Sequence, residues 1–211
     1  MRGITYDPVD RYIHDLVPPR DATLREMEEL ASREHIPIVG PAVGRLLELL
    51  AGLTGARRVF EMGSAVGYST IWWARGIQPE GRVYYTDGSV DNARRAEAFF
   101  GKAGVADRVE VLTGNSLDLI ETVAGEFDIV FNDVDKHYYP EVYRKASGRV
   151  RVGGLLVTDN VLWSGRVADP GETDHNTESI REFNRLVYED PRFRTTIVPL
   201  RDGVSIARRV S

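Results

Sequence analysis

Acidic side chains lie in or directly after four of the short apolar runs in this sequence. The residues concerned are Glu61, Asp87, Asp133 and the adjacent pair Asp159 and Asn160. In an open α/β sheet, ligands bind beyond the carboxyl ends of the strands. A single Asp or Asn at such a position often only caps a helix or begins a turn. Four acidic positions on one rim favour a binding site.

A glycine-bearing turn follows the first apolar run and reads E-M-G-S-A-V-G-Y-S-T from Glu61 to Thr70. Glycine lets the backbone approach a ligand, and the start of the next helix offers free N–H groups. The G-x-x-x-G spacing of Gly63 and Gly67 fits neither the dinucleotide-binding motif nor the phosphate loop. Asp87 lies 20 residues beyond Gly67, where an acid can accept hydrogen bonds from ribose hydroxyls. Together they indicate a nucleoside-containing cofactor.

Three helices are predicted to precede these runs, within residues 1–55. The first follows Pro8 with apolar residues at helical spacing up to Leu16, and the second begins at a Thr23-x-x-Glu26 capping box. The third follows Pro41, and its predicted inward-facing residues are Val43, Leu46, Leu47, Leu50 and Leu53.

From Arg58 onward, short apolar runs alternate with helical stretches, which is typical of βα units that form a parallel sheet. The turn dipeptide Asp202–Gly203 predicts that the last two strands form an antiparallel hairpin. The strands are placed near Val59–Met62, Val83–Thr86, Val109–Leu112, Asp128–Phe131, Leu155–Thr158, Arg194–Pro199 and Val204–Ala207.

The predicted fold class is therefore α/β: a Rossmann-like, doubly wound, mostly parallel seven-stranded sheet with a C-terminal antiparallel hairpin and extra N-terminal helices. One domain is expected over residues 1–211, with the helices in 1–55 and the α/β core in 56–211. The loop 164–177, rich in Gly, Asp and Pro, is interpreted as a lid or a disordered insertion.

Composition excludes several kinds of chemistry. The chain has no cysteine, which removes thiolate metal sites and cysteine nucleophiles, and its net charge of −5 argues against a protein that mainly binds nucleic acid. No apolar stretch approaches the roughly 20 residues that span a bilayer. We therefore expect a cytoplasmic protein that acts on a small molecule.

Three segments resemble the class I S-adenosylmethionine-dependent O-methyltransferases, specifically the cation-dependent catechol and caffeoyl-CoA branch. They are V-F-E-M-G-S-A-V-G-Y-S-T from Val59, F-N-D-V-D-K from Phe131 and T-D-N-V-L-W-S-G from Thr158. The resemblance extends from about Ile38 to the C-terminus and implies S-adenosylmethionine as the cofactor. It implies that the cofactor-binding residues are Val39, Gly40, Glu61, Gly63, Gly67, Ser69, Asp87, Asn115, Ser116 and Asp133.

The same resemblance directs attention to a metal site. Asp133, Asp159 and Asn160 offer two carboxylates and one amide oxygen, a set suited to Mg²⁺ above all, or to Mn²⁺ or Ca²⁺. Asp159 and Asn160 could instead form only a turn. Lys136 resembles the catalytic lysine, and a nearby cation would lower its pKa enough for it to act as a general base. Tyr139 and Trp163 flank these residues and could stack on an aromatic substrate.

The resulting hypothesis is a divalent-cation-dependent O-methyltransferase that acts on a catechol-like phenol. Methylation of a hydroxylated uridine in tRNA is the alternative within the same chemistry. A nucleotide-binding oxidoreductase is disfavoured because the G-x-G-x-x-G motif is missing. A non-catalytic cofactor-binding module would need a spoiled metal site, whereas every candidate ligand is present. Relatives in this family are commonly homodimers, and a homodimer is expected here.

Overall fold

The computed structural model describes residues 4–211, so residues 1–3 of the predicted domain lie outside the described residues. Over the described range the chain forms eight α-helices and seven strands. The helices are α1 (Asp7–Leu16), α2 (Ala22–Glu34), α3 (Gly40–Thr54), α4 (Tyr68–Gly76), α5 (Val90–Ala103), α6 (Ser116–Thr122), α7 (Tyr139–Ala146) and α8 (His175–Glu189). The strands are β1 (Arg58–Met62), β2 (Arg82–Asp87), β3 (Val109–Thr113), β4 (Phe127–Asn132), β5 (Val150–Thr158), β6 (Phe193–Val198) and β7 (Val204–Arg209).

All seven strands form one sheet in the order β3-β2-β1-β4-β5-β7-β6. Strands β1 to β5 run parallel, and β7 runs antiparallel to both β5 and β6. The chain moves outward from β1 to β3 and then returns to start again at β4, on the other side of β1. That reversal is the topological switch point where α/β sheets bind ligands. The predicted fold class is confirmed.

The core lies in two layers, one on each face of the sheet. Side chains alternate between the faces along a strand, so Val59 packs with helices α2 to α5 while its neighbour Phe60 packs with α6 to α8. Trp73 is fully buried in the first layer and Phe183 in the second. The layers hold the sheet rigid, and the carboxyl ends of its strands carry the polar residues.

The start of α2 differs from the prediction. Asp21 precedes the helix, and its carboxylate accepts hydrogen bonds from the backbone N–H groups of Thr23 (2.9 Å) and Leu24 (3.1 Å). The Thr23-x-x-Glu26 capping box is wrong, because Thr23 already lies inside the first turn and Asp21 satisfies the free N–H groups.

The inner face of α3 is also narrower than predicted. Val43 and Leu47 are fully buried and Leu46 and Leu50 partly so, but Leu53 is 83% exposed. Leu53 lies six residues after Leu47, about 120° away around the helix axis, and in the last turn of α3. In α1 the helix is confirmed, yet none of its residues is buried.

The segment expected to be a lid or a disordered insertion is ordered. It contains most of a 3₁₀-helix, Trp163–Ala168, and α8 begins within it, at His175. The Arg181 guanidinium donates to the carbonyl oxygens of Val167 (3.0 Å), Glu172 (2.7 Å) and Arg166 (3.0 Å). These bonds satisfy backbone groups that a loop otherwise leaves to water. In the described part of the chain, no helix is long and apolar enough to cross a membrane.

The turn into α4 gives a stability prediction. Gly67 has φ of +85°, and a Cβ there would lie 2.6 Å from the Phe100 ring, which is buried. Gly67→Ala adds this overlap to the strain of a left-handed backbone, so we expect the free energy of unfolding in urea to fall by about 3 kcal/mol.

Gly55→Ala is the matched control. Gly55 has φ of +60°, but no atom lies within 4 Å of the added Cβ, so only the backbone strain of about 1 kcal/mol remains. Equal losses for the two variants would contradict the packing argument.

Candidate active site

A cleft of about 610 Å³ lies at the carboxyl ends of the central strands, within the usual size range for a small-molecule site. Its walls come from the turns after β1, β2, β3, β4 and β5. The predicted site residues that line it are Gly63, Asp87, Asn115, Ser116, Asp133, Lys136, Asp159 and Asn160. The fold therefore brings together residues separated by almost a hundred positions in the sequence.

Asp87 ends β2 and joins three segments of the cleft wall. One carboxylate oxygen accepts from the backbone N–H of Ala65 (3.0 Å), in the turn after β1. The other accepts from the backbone N–H of Ser89 (2.8 Å) and from the side-chain amide of Asn92 (3.0 Å). These bonds fix the carboxylate in one orientation, with acceptor capacity left toward the cleft.

Asn115 and Ser116 form the wall beyond Asp87, at the start of α6. The Asn115 side chain accepts from the backbone N–H of Leu117 (2.9 Å) and so caps this helix. The backbone N–H of Gly114 donates to the Asp87 carbonyl oxygen (2.9 Å), which ties the ends of β2 and β3 together.

Glu61, Gly67 and Ser69 lie behind the cleft instead of lining it. Burial raises the pKa of Glu61 to about 7, and the hydrogen bonds from Ser69, Thr70 and Ser64 offset this only in part.

Val39 and Gly40 are found in a neighbouring cavity of about 220 Å³. Val39 is buried, and Gly40 begins α3. Ile38 and Arg201 line both this cavity and the main cleft. The two predicted residues therefore line an adjoining cavity that shares Ile38 and Arg201 with the main cleft.

Asp133 and Asp159 bring two carboxylates to the same end of the cleft. Asp159 is 1% exposed, and its Oδ1 has no hydrogen-bond partner among the described residues. Burial, followed by the charge of Asp133, raises the pKa of Asp159 well above its usual range. A buried oxygen without a partner is costly, and a hard cation is the chemistry that satisfies it. Within residues 4–211 no cluster of three His, Cys, Asp or Glu side chains is present, so the third candidate ligand is the Asn160 amide.

Asn160 has φ of +57°, a left-handed conformation that asparagine tolerates better than most residues. Its side chain hydrogen-bonds the carboxylate of Asp202, which is 1% exposed. The next two residues bond the turn between β6 and β7: Val161 N–H donates to the Gly203 carbonyl oxygen and Leu162 N–H to that of Asp202. The C-terminal hairpin thereby positions the candidate ligand.

Lys136 lies three residues after Asp133, with its side chain 12% exposed. Its Nζ donates to Asp133 Oδ1 (3.0 Å) and to the Val134 carbonyl oxygen (3.2 Å). Burial acts to lower the pKa of Lys136, but Tyr139 and Asp133 outweigh it and raise that pKa. The lowered pKa was predicted for Lys136 beside a bound cation, and it stays a prediction.

Tyr139 does not serve as an aromatic platform for a substrate, and that prediction is wrong. Its ring is fully buried, and its hydroxyl donates to the Asp159 carbonyl oxygen (2.7 Å). Tyr139 therefore fixes the backbone of a candidate ligand. Trp163 does line the cleft, as does Tyr138.

Arg201 and Asn176 line the cleft, and no role was predicted for either. Arg201 directly precedes the predicted Asp202–Gly203 turn, and this neighbouring turn was the sequence feature that could have marked Arg201 as a candidate site residue. Because β7 is antiparallel to β5, with Thr158 opposite Ser205, this turn must lie at the carboxyl edge of the sheet. That placement requires the strand order, which local patterns do not reveal.

Comparison with known proteins agrees with this geometry. A family model described as O-methyltransferase matches residues 18–210. A catechol O-methyltransferase from Niastella koreensis is 33% identical over 218 residues, covering 98% of this chain and 99% of the relative. A putative O-methyltransferase from Mycobacterium bovis is 34% identical over 191 residues, covering 90% of this chain and 85% of the relative.

Solved structures give the same result. The O-methyltransferase from Bacillus cereus, solved in complex with SAH, is 34% identical with a TM-score of 0.87 and covers 97% of each chain. TomG from Streptomyces achromogenes, an O-methyltransferase solved in complex with SAM, is 32% identical with a TM-score of 0.88, covering 97% of this chain and 96% of its own. The chain therefore belongs to the O-methyltransferase family, as its three motifs predicted.

Proposed function

We propose that this O-methyltransferase transfers the methyl group of S-adenosylmethionine to one hydroxyl of a catechol-like phenol, with a divalent cation in the site. One observation carries the proposal: a single cleft joins Asp87 at one end to Asp133, Asp159 and Lys136 at the other. The solved relatives with SAH and SAM support the cofactor. The name of the Niastella relative supports the substrate class.

In this proposal the cofactor lies along the cleft from β3 to β1. Asp87 accepts hydrogen bonds from the ribose hydroxyls, since its carboxylate is already oriented by the turn after β1. Asn115 and Ser116 contact the adenine. The methionine end lies against Gly63, with Glu61, Gly67 and Ser69 behind it, and Val39 and Gly40 close the opposite side. The bound cofactor supplies an electrophilic methyl group on a sulfonium.

Asp133, Asp159 and Asn160 would hold the cation, and the unpartnered Oδ1 of Asp159 fits that role. A divalent cation, Mg²⁺ above all, with Mn²⁺ or Ca²⁺ as alternatives, would make a phenolic hydroxyl easier to deprotonate. With a cation held by Asp133, the added positive charge would lower the pKa of Lys136, so that its neutral amine could hold the acceptor oxygen and take its proton. Trp163 packs against the ring, and the rigid loop behind it excludes water. These contacts align the oxygen with the methyl carbon for in-line displacement.

The first test concerns the ribose contact. Asp87→Asn should weaken binding of S-adenosylhomocysteine about 10- to 100-fold, because a hydrogen bond to a charged group contributes about 1.5–3 kcal/mol. Calorimetry measures the affinity, and thermal unfolding shows whether the variant still folds. Asp91→Asn is the control, since Asp91 is exposed in the first turn of α5. Unchanged affinity in Asp87→Asn would remove Asp87 from the cofactor site.

The second test concerns the cation. Treatment with EDTA should abolish methyl transfer to catechol, and Mg²⁺ or Mn²⁺ should restore it. Asp159→Asn should lose about 100-fold or more in activity while it still binds S-adenosylhomocysteine. Added Mg²⁺ should raise the melting temperature of the wild type but not of Asp159→Asn.

Asp107→Asn is the control for the metal test, because Asp107 is exposed at the amino end of the sheet. Full wild-type activity after exhaustive chelation would contradict the requirement for a cation. Equal rates for phenol and catechol would contradict the requirement for two adjacent hydroxyls, since one hydroxyl cannot chelate the cation. Methyl transfer to bulk tRNA, with none to catechols, would make the acceptor a nucleic acid.

The third test separates proton removal from charge at Lys136. Lys136→Met should lower kcat about 100-fold or more and leave the affinity for S-adenosylhomocysteine unchanged. Lys136→Arg should stay equally slow, because a guanidinium keeps its proton. Lys102→Met, on the exposed face of α5, is the control. Recovery of kcat in Lys136→Arg would show that Lys136 contributes its charge and does not remove the proton.

A further inference from the structure

Arg201 lies in the turn between β6 and β7, at the carboxyl edge of the sheet. Its backbone has φ of +55°, in the left-handed region that few side chains adopt. The turn is held in place from both sides: the Gly203 N–H donates to the Leu200 carbonyl oxygen, and the Val161 N–H donates to that of Gly203. The fold thus keeps a large cationic side chain at a strained position beside the candidate metal ligands.

The Arg201 side chain is only partly used by the protein. Its Nη1 donates to the Ile38 carbonyl oxygen (2.5 Å). Among residues 4–211, Arg201 makes no salt bridge and no second side-chain hydrogen bond. A guanidinium has five N–H donors in a planar fork, so most of them remain available on the wall that Arg201 shares with Asp159 and Asn160.

Lys136 is the other lysine or arginine that lines the cleft, and it already has a carboxylate partner. Its ammonium is paired with Asp133 at 3.0 Å. Within the described residues, Arg201 has no carboxylate within salt-bridge distance, although its charge acts to lower the raised pKa values of the nearby Asp159 and Asp202 carboxyls. A partly buried guanidinium gains most from a carboxylate that meets its fork with two hydrogen bonds.

We infer that Arg201 binds a carboxylate carried by the methyl acceptor, so that the substrate class is a catechol carboxylic acid. This inference rests on the proposed function. The diol would lie toward Asp133 and Asp159, and the acid group would lie toward the turn between β6 and β7. The planar ring between them meets Trp163, which lines the same wall.

The methionine part of the cofactor is a second source of a carboxylate. The bond from Arg201 to Ile38 brings the guanidinium next to Val39 and Gly40, which are proposed to close over the cofactor. The acceptor is favoured because Arg201 belongs to the hairpin that positions Asn160, at the metal end of the cleft. The experiment below separates the two sources.

The test compares 3,4-dihydroxybenzoic acid with its methyl ester, which has the same diol and no charge. The wild type should show a kcat/KM for the acid at least about tenfold above that for the ester. Arg201→Gln should lose this preference through a higher KM for the acid, with kcat and the ester kinetics little changed. Arg208→Gln is the control, because Arg208 is exposed on β7 and lies outside the cleft.

Calorimetry supplies a readout that does not depend on turnover. The wild type loaded with S-adenosylhomocysteine and Mg²⁺ should bind 3,4-dihydroxybenzoate at least about tenfold more tightly than Arg201→Gln does, and both should bind S-adenosylhomocysteine equally well. Arg201→Lys, which keeps the charge without the fork, should be intermediate and replaces Arg201→Gln if that variant fails to fold.

Three results would overturn the inference: equal kcat/KM for acid and ester in the wild type, equal binding of the acid by wild type and Arg201→Gln, or a loss confined to S-adenosylhomocysteine affinity. The last would assign Arg201 to the cofactor's carboxylate. If neither acid nor ester is methylated while only the wild type binds the acid, the carboxylate site stands and the proposed reaction fails.

Discussion

The site depends on the close approach of two turns, one after β1 and one after β4. The Asp133 N–H donates to the Met62 carbonyl oxygen (2.9 Å), and a Cβ on Gly63 would lie 2.6 Å from the Asp133 carbonyl oxygen. Only glycine permits this approach, with φ of +81°. Because β1 and β4 are neighbours at the switch point, the candidate cofactor turn and the first candidate metal ligand become parts of one surface.

The charges in the site are balanced locally. Asp133 faces Lys136, Asp87 accepts backbone and amide N–H groups, and Glu61 sits among hydroxyls. Glu61 and Asp159 are both buried, each lies near Asp133, and each has one carboxylate oxygen without a hydrogen-bond partner in the described chain. Of the two, Asp159 is the one that lines the cleft. Burying such a group is costly unless a positive charge meets it. The folded chain therefore keeps an unfavourable buried carboxylate, that of Asp159, at a place where a bound cation would stabilise it.

Polar contacts hold the segments around the site in place. Arg181 holds the loop carbonyls beyond Trp163, Tyr139 holds the Asp159 carbonyl, and Asp202 holds the Asn160 side chain. Each residue fixes backbone or side-chain geometry without lining the candidate cofactor wall. Catalytic groups need such support to stay within reacting distance.

The sequence by itself determined the order of helices and strands, the fold class, and the acids at the strand ends. These follow from local patterns: periodic apolar residues, turn residues, and a polar residue after an apolar run. The burial of Tyr139 and the place of Arg201 were decided by the tertiary structure. Tyr139 is buried because its ring meets Phe183 of α8, and Arg201 reaches the cleft because β7 pairs antiparallel with β5. That pairing brings the C-terminal turn to the carboxyl edge, and no local pattern encodes it.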